Sequence, residues 1–349
     1  MALECNITKK LGNFTLDLDI RAGTGVTALM GVSGSGKSMA LRCMSGVSKP
    51  DNGRITLDGV ILFDSGKKIN LPPQKRKVGF LFQDYALFPN MTVLQNIMCG
   101  ANRDDKKKRK GIAEDLAETF HITAHLGKYP HQLSGGEKQR AAIARILAGT
   151  PDILMLDEPF SALDSHLRWE LENELASVFQ RFGKTVLYVS HNRDEVYRLC
   201  DNVVILNNGR SEVSGSKWEL FKNPVTVQAA RLTGCKNIAP CTARGAKITV
   251  PDWGAEFDAD GKTAEFVGIR ANYLTPACLA DKDKVAAAFE FEIVREIEDT
   301  FTNILYVRKK GANLPAVIRW EMPRKSRAAL RDLPQELAFL RESLLFLRG

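Results

Sequence analysis

Long hydrophobic runs are missing from this sequence. No uninterrupted apolar stretch approaches the ~18 residues that a membrane-spanning helix requires, and the opening MALECNITKK has none of the apolar core of a secretory signal. The reading is a chain that stays in the cytoplasm and does not itself cross a bilayer. Paired cysteines are missing too. There are seven cysteines, an odd number with no CxxC pair, so neither a disulfide framework nor a zinc site is expected. They read as small buried apolar groups in a reducing compartment. Long internal repeats and low-complexity linkers are also absent. The formal net charge of +8 is not concentrated, because the basic excess is spread along the chain. The one dense run, KKKRK at 106–110, follows Asp104 and Asp105. It lacks interleaved aromatics on which bases could stack, so it reads as a solvated helix start, and no nucleic-acid partner is expected.

What is present suffices for two domains. The chain has 349 residues, 44% hydrophobic and 26% charged, an ordinary globular balance with material for a sizeable core. Strand-type apolar segments alternate with helical ones: VTALMG at 26–31 and then a helix from Lys37; DILMLDE at 152–158 and then a helix from about Ser165; TVLYVS at 185–190, a further helix, and NVVILN at 202–207. This pattern predicts an α/β fold with a parallel sheet covered by helices. Between about 89 and 150 helical periodicity takes over, as in GIAEDLAETF and EKQRAAIARILAG, which predicts an inserted helical subdomain. After about Cys235 the texture changes to short β-rich stretches broken by Gly, Pro and Asn, with a helix only near 324–331. The division is therefore 1–235 for the first domain and 236–349 for a small all-β, barrel-like domain.

The sharpest local signal is GVSGSGKS, comprising Gly31, Val32, Ser33, Gly34, Ser35, Gly36, Lys37 and Ser38. It fits G-x-x-x-x-G-K-[ST] and sits between a strand and a helix, the context that a phosphate loop needs. Its glycines let successive N–H groups turn inward onto phosphates, and the helix that follows adds its positive end. Lys37 would neutralise the β and γ phosphates and Ser38 would ligate Mg²⁺. Further along, the apolar strand ILML runs into Asp157 and Glu158. Two carboxylates at the end of a buried strand call for a positive partner, and Mg²⁺·ATP supplies one. Asp157 would hold the metal, and Glu158, projecting oppositely along the strand, would polarise the attacking water.

At 133–139 the sequence reads LSGGEKQ. Ser134 followed three residues later by Glu137 is a capping box, while Gly135 and Gly136 bare the first N–H groups of the helix, an arrangement suited to an anion. LSGGEKQ, one helix ahead of ILMLDEP, resembles the signature of ATP-binding cassette (ABC) ATPases. The other motifs of that family follow in order. Gln83 in VGFLFQDYALFP resembles the Q-loop glutamine, which contacts Mg²⁺ and water and links the nucleotide to the helical subdomain. SALD at 161–164 resembles the D-loop, and His191 after TVLYVS resembles the switch histidine of the γ-phosphate. The resemblance covers roughly 1–235. It implies catalytic roles for Glu158, His191 and Gln83 and metal contacts from Ser38, Gln83 and Asp157. It also implies a homodimer in which Ser134, Gly135, Gly136, Gln139 and Asp164 of one subunit meet the nucleotide of the other. One element departs from the family pattern: Leu11 precedes Gly12 where many members stack adenine on an aromatic. Either Phe14 takes over that stacking or adenine packs on an aliphatic surface.

The stretch FLFQDYALFPNMTVLQNI resembles ATPases of bacterial importers for small oxyanions, and ILFD…INLPPQKRKVG narrows this toward the molybdate type, with sulfate and iron(III) importers as alternatives. The segments NIAPCTARG and FVGIRANYL resemble the oligomer-binding regulatory domain attached to such ATPases. There a dimer brace is the plainer role and anion sensing the sharper one, with donors near Arg270, Asn272, Thr302 and Asn303. The resemblance thus implies integral-membrane permease subunits, an extracytoplasmic oxyanion-binding protein and a place at the cytoplasmic face of the membrane. A soluble ABC ATPase unrelated to transport is the weaker alternative, since no second cassette or coiled-coil insertion is present. A non-hydrolytic module fits poorly with the complete set Lys37, Asp157, Glu158 and His191.

Overall fold

The computed structural model describes residues 2–101, 105–161, 165–259, 261–311, 316–329 and 334–349. They form two compact units, Met1–Lys217 and Trp218–Gly349. The division falls before the change of texture near Cys235, because the segment after Lys217 is tied into the second unit. Val227 N–H donates to Arg348 O at 3.0 Å and Arg348 N–H to Val225 O at 3.1 Å. Arg270 donates to Thr233 O and to Phe221 O.

The first unit is built on an eleven-stranded mixed sheet. Across it the order is Ile69–Asn70, Val60–Asp64, Asn52–Leu57, Leu3–Leu11, Phe14–Ala22, Arg210–Ser216, Asn202–Asn207, Gly25–Met30, Thr185–Val189, Ile153–Asp157, Val78–Leu81. The last five pair in parallel. Every residue of Ile153–Asp157 and Thr185–Val189 is buried, which is why these strands read as continuous apolar runs. The first five of that order form an antiparallel half that the sequence reading did not anticipate. Its strands are half-solvated: in Leu3–Leu11 and Phe14–Ala22 the buried Leu3, Cys5, Ile7, Leu16, Leu18 and Ile20 alternate with exposed polar residues. That alternation is the period-2 signature of a half-buried strand, so the signal is present in the sequence and is overshadowed there by the continuous apolar runs.

Between Leu81 and Ile153 the described residues contain helices Val93–Gly100, Lys106–Thr119 and Gly135–Ala148 and no strand. Asp105 caps the basic helix start, accepting from Lys107 N at 2.8 Å. The second unit is a small β domain whose strands form two three-stranded sheets and a curled five-stranded half-barrel. Its core is aromatic: Phe339 stacks on Trp253 at 5.6 Å and on Phe289 at 5.2 Å, with Phe257 edge-on at 5.3 Å. The late helix runs Arg324–Ala329, and the rest of its expected length lies outside the described residues. One expectation is corrected. Cys5, Cys43, Cys200 and Cys235 are buried, but Cys99 and Cys278 are exposed and Cys241 is intermediate.

Candidate functional site

The phosphate loop owes its shape to side chains too small to obstruct it. A Cβ on Gly31 would lie 2.4 Å from Ser35 Oγ and 2.5 Å from Leu206 O, and Gly36 takes φ +100°, which only glycine adopts without strain. Gly36 is also the N-cap of helix Lys37–Ser45 and supplies no side-chain hydrogen bond. The first N–H groups of the helix are left for a ligand. Lys37 lies folded under the loop, donating to Gly31 O at 2.9 Å and Val32 O at 3.0 Å. Burial pulls its pKa below the usual lysine value, opposed by Glu158 and Asp157. Ser35 Oγ is buried without a partner, an orphan donor beside the cradle. Phe14 packs against the underside of this loop, its ring 3.2 Å from where a Gly36 Cβ would stand.

Asp157 ends its strand opposite the loop and accepts from Ser38 Oγ at 3.0 Å. The site brings together a hydroxyl and a carboxylate, hard oxygen donors of the kind that hold Mg²⁺ alongside phosphate oxygens. Among the described residues no cluster of three or more His, Cys, Asp or Glu could hold a metal ion. The Ser38 hydroxyl and the Asp157 carboxylate are donors that fit Mg²⁺. Burial pushes the Asp157 pKa up, with Glu158 adding to the rise and the Ser38 hydrogen bond, Arg42 and Lys37 opposing it. A folded pKa above the unfolded one means that the cost of burying this charge is absent below the unfolded value and grows as pH rises through the folded one. Asp157→Asn, which keeps an acceptor for Ser38, is therefore expected to melt higher at pH 7 in the presence of a chelator. The gain should be about 2–4 °C per kcal/mol and should shrink as pH is lowered. A lower melting temperature at pH 7 would show that the charge is stabilised in place.

Glu158 corrects the sequence reading. It is not the next residue of an extended strand but a turn residue at φ +45°, held by a bond from its N–H to Val189 O at 3.1 Å. Left-handed backbone on a residue with a Cβ costs free energy and marks sites where the surroundings dictate shape. The turn sends the carboxylate toward the end of the neighbouring strand, where Glu158 Oε2 lies 3.3 Å from His191 Nδ1. Ser161 Oγ donates to Glu158 O at 3.0 Å and receives Gln83 Nε2 at 3.4 Å. Glu158, His191 and Gln83 are thus brought to one place. Of the three expected metal contacts, Ser38 and Asp157 touch each other while the Gln83 amide is directed at Ser161.

The sequence reading missed Glu195. It is buried and accepts from Ser190 Oγ at 2.7 Å and Tyr188 Oη at 3.0 Å, with Arg168 Nη1 at 3.6 Å. It braces the residue immediately before His191 from behind. Its sequence signal, an acid three residues after the helix N-cap Asn192, is indistinguishable from an ordinary capping box.

At the signature the expected cap is present: Glu137 N–H donates to Ser134 Oγ at 3.4 Å and Ser134 N–H to Glu137 Oε2 at 2.7 Å. That second bond is the chief reason the Glu137 pKa falls below the usual glutamate value. Ser134 is exposed, whereas Gly136 is buried, its Cα facing Leu171. Gln139 is 1% exposed, so the expectation that it reaches a nucleotide on another subunit is withdrawn. Its helix places it on the inner face. Asp164 lies outside the described residues.

In the second unit, Arg270 is no free anion donor, since its guanidinium is spent on the carbonyls of Thr233 and Phe221. Asn303 is buried and its amide donates to Glu296 Oε1 at 3.3 Å. These two candidates serve separate structural contacts.

A family model described as ABC transporter matches residues 14–161. The molybdenum import ATP-binding protein ModC of Rhodospirillum rubrum is 42% identical over 222 residues, 64% of this chain and 60% of that protein. The sulfate/thiosulfate import ATP-binding protein CysA of Synechococcus elongatus is 38% identical over 239 residues, 67% of this chain and 68% of that protein. Among solved structures, the dimeric post-hydrolysis state of the ATP-binding cassette MJ0796 bound to ADP and Pi matches with TM-score 0.53 and 27% identity. It covers 62% of this chain and 99% of that one. Among the described residues no helix is long and apolar enough to cross a membrane.

Proposed function

This chain belongs to the ABC transporter family, and we propose that within it the protein is the ATP-hydrolysing subunit of a membrane importer for molybdate or a related oxyanion, with a sulfate or an iron(III) importer as the alternative. The observation that carries the enzymatic half is the left-handed turn at Glu158, which brings one carboxylate onto His191 while its neighbour Asp157 meets Ser38 beneath the phosphate loop. Two adjacent carboxylates thereby take different tasks. Glu158 accepts the proton of a water that attacks the γ-phosphorus; the bond to the β–γ bridging oxygen breaks and ADP leaves with it. Lys37 and the loop N–H groups hold the phosphates, and His191 steadies the γ-phosphate from the opposite side. Ser38 and Asp157 would hold Mg²⁺, which when bound neutralises charge on the β and γ oxygens. Gln83 sits at Ser161, within the same group, where it reports on the water.

The transport half rests on the 42% identity to a molybdenum importer subunit together with the segment ILFD…INLPPQKRKVG, and import subunits for spermidine/putrescine, iron(III) and sulfate/thiosulfate at 41%, 39% and 38% identity make each of those substrates a rival. The working assembly is a homodimer docked on permease subunits at the cytoplasmic face, fed by an extracytoplasmic binding protein. The second unit is assigned the role of a dimer brace, and any slowing of transport by bound oxyanion would have to use the remaining candidate donors Asn272 and Thr302. The test is ATP hydrolysis by the chain reconstituted with its permease in vesicles and presented with binding protein loaded with molybdate, tungstate, sulfate or ferric ion. Molybdate should give the largest stimulation, and added cytoplasmic-side molybdate should not reduce it. Preferential stimulation by sulfate or iron would overturn the substrate, and inhibition by cytoplasmic-side molybdate would overturn the assignment of the second unit as a dimer brace alone.

A further inference from the structure

We propose that Arg145 is a positioning residue for the loop that carries Gln83, holding that loop in a strained shape that mechanically joins the hydrolytic carboxylate to the helix starting at Ser134. The inference rests on the reading of Gln83 and Glu158 given above. Two consecutive residues of this loop, Tyr85 at φ 62° and Ala86 at φ 45°, are in the left-handed region, and neither is glycine. Such a pair is unfavourable on its own and persists only when something outside the loop dictates it. The outside agent is visible. Arg145 Nη1 donates to Ala86 O at 2.7 Å and Nη2 to Tyr85 O at 3.1 Å, so a single planar fork spans both carbonyls of the strained pair. The same guanidinium lies 5.4 Å from the centre of the Phe88 ring.

Each neighbour of this clamp is itself fixed. Tyr85 is buried, and its hydroxyl donates to Pro159 O at 3.3 Å; Pro159 directly follows Glu158. Phe88 N–H donates to Asn96 Oδ1 at 2.8 Å, and Asn96 Nδ2 returns to Phe88 O at 3.2 Å. On the other side of Arg145, a Cβ on Gly100 would stand 1.8 Å from Arg145 O, so helix Val93–Gly100 meets helix Gly135–Ala148 backbone to backbone there. Arg145 therefore cannot shift without carrying the loop, and Ser134 lies at the far end of the same helix, about 16 Å away at 1.5 Å per residue. In sequence Arg145 is only a cation in the last turn of a helix, where it would complement the dipole. In the structure its donors are instead given to residues 85 and 86. A displacement of the Ser134 end thus reaches Gln83, two residues before Tyr85, and Glu158, one residue before Pro159, through a single side chain.

The experiment uses the full chain with its permease and compares Arg145→Met, Arg145→Lys and Arg145→Met combined with Ala86→Gly. Nucleotide affinity, maximal hydrolysis, melting temperature and backbone amide exchange over residues 84–88 are measured for each. Arg145→Met is expected to lower maximal hydrolysis by about 10- to 100-fold, the scale of a sub-ångström to ångström misplacement, with nucleotide affinity nearly unchanged and faster exchange at 84–88. Arg145→Lys should not rescue it, because an ammonium cannot span two carbonyls as a fork. Adding Ala86→Gly should restore a substantial part, because glycine adopts φ 45° without cost. Unaltered hydrolysis in Arg145→Met, full rescue by lysine, or no gain from Ala86→Gly would overturn the proposal. So would a parallel fall of affinity and hydrolysis with melting temperature, which would make Arg145 a mere fold element. If the unaltered chain itself fails to hydrolyse ATP, the functional reading falls instead, while the exchange measurement still decides whether Arg145 holds the loop.

Discussion

Glu158→Gln is expected to reduce ATP hydrolysis by about 10²- to 10⁴-fold, the usual contribution of a general base, while ATP still binds nearly as tightly as to the unaltered chain. The amide preserves what the structure shows about this position. The φ of +45° and the bond from residue 158 N–H to Val189 O at 3.1 Å belong to the backbone. The 3.3 Å approach of His191 Nδ1 can be kept as a neutral hydrogen bond. Only the capacity to take a proton is lost. Lys37→Ala should differ by weakening nucleotide binding itself, and hydrolysis with it, because the Lys37 Nζ lies beneath Gly31 and Val32 of the cradle. Equilibrium binding of ATP and steady-state phosphate release on both variants check the pair. If Glu158→Gln hydrolyses within a few-fold of the unaltered chain, the base lies elsewhere.

The parts of this site that could be read in the sequence are those whose chemistry is made by contiguous backbone. Gly31 to Ser38 is a phosphate cradle because small residues at fixed offsets free their own N–H groups, and offsets are visible in a string. The cap at Ser134 and Glu137 and the buried strand Ile153–Asp157 are legible for the same reason. What escaped was set by partners far away in the chain. The left-handed turn at Glu158 depends on Val189 O, and strand periodicity alone gave the opposite projection. Arg145 is in the string only a cation near a helix end, and its acceptors lie 59 and 60 residues earlier. Arg270 looked like an anion donor until it proved to cap carbonyls 37 and 49 residues away. Gln139 stands between polar neighbours in the string, yet its face of the helix is the buried one. The antiparallel half of the sheet was legible as well, in the alternation of buried Leu16, Leu18 and Ile20 with exposed Asp17 and Asp19, a period-2 pattern that the continuous apolar runs of the parallel half overshadowed.

A heterodimer carrying Lys37→Ala in one chain and Ser134→Arg in the other is expected to retain about half the unaltered hydrolysis, as a two-fold dimer with one intact site of two would. A heterodimer carrying both substitutions in one chain, beside an unaltered partner, should lose nearly all of it. The phosphate loop covers only one side of its ligand. Its N–H groups and Lys37 surround phosphates from one side, and a γ-phosphate held there remains open on the other. Helix Gly135–Ala148 presents a suitable second wall: its cap Ser134 is exposed and Gly135 is half-buried, while Gly136 is buried, so Ser134 and the Gly135 N–H are the groups that can face an anion. The Ser134 hydroxyl accepts from Glu137 N–H, so its own proton remains available for a phosphate oxygen. Glu137, the one acid in that turn, is turned back onto Ser134 N–H at 2.7 Å and His125 Nε2 at 3.1 Å, which keeps its charge from the approaching anion. If the wall comes from the partner in a head-to-tail pair, separate lesions fall in one shared site and spare the other, whereas two lesions in one chain damage both sites. If each chain closes its own site, the order of the two activities reverses. Phosphate release from the two purified heterodimers, measured side by side, decides between the arrangements, and the reversed order would sink the shared site.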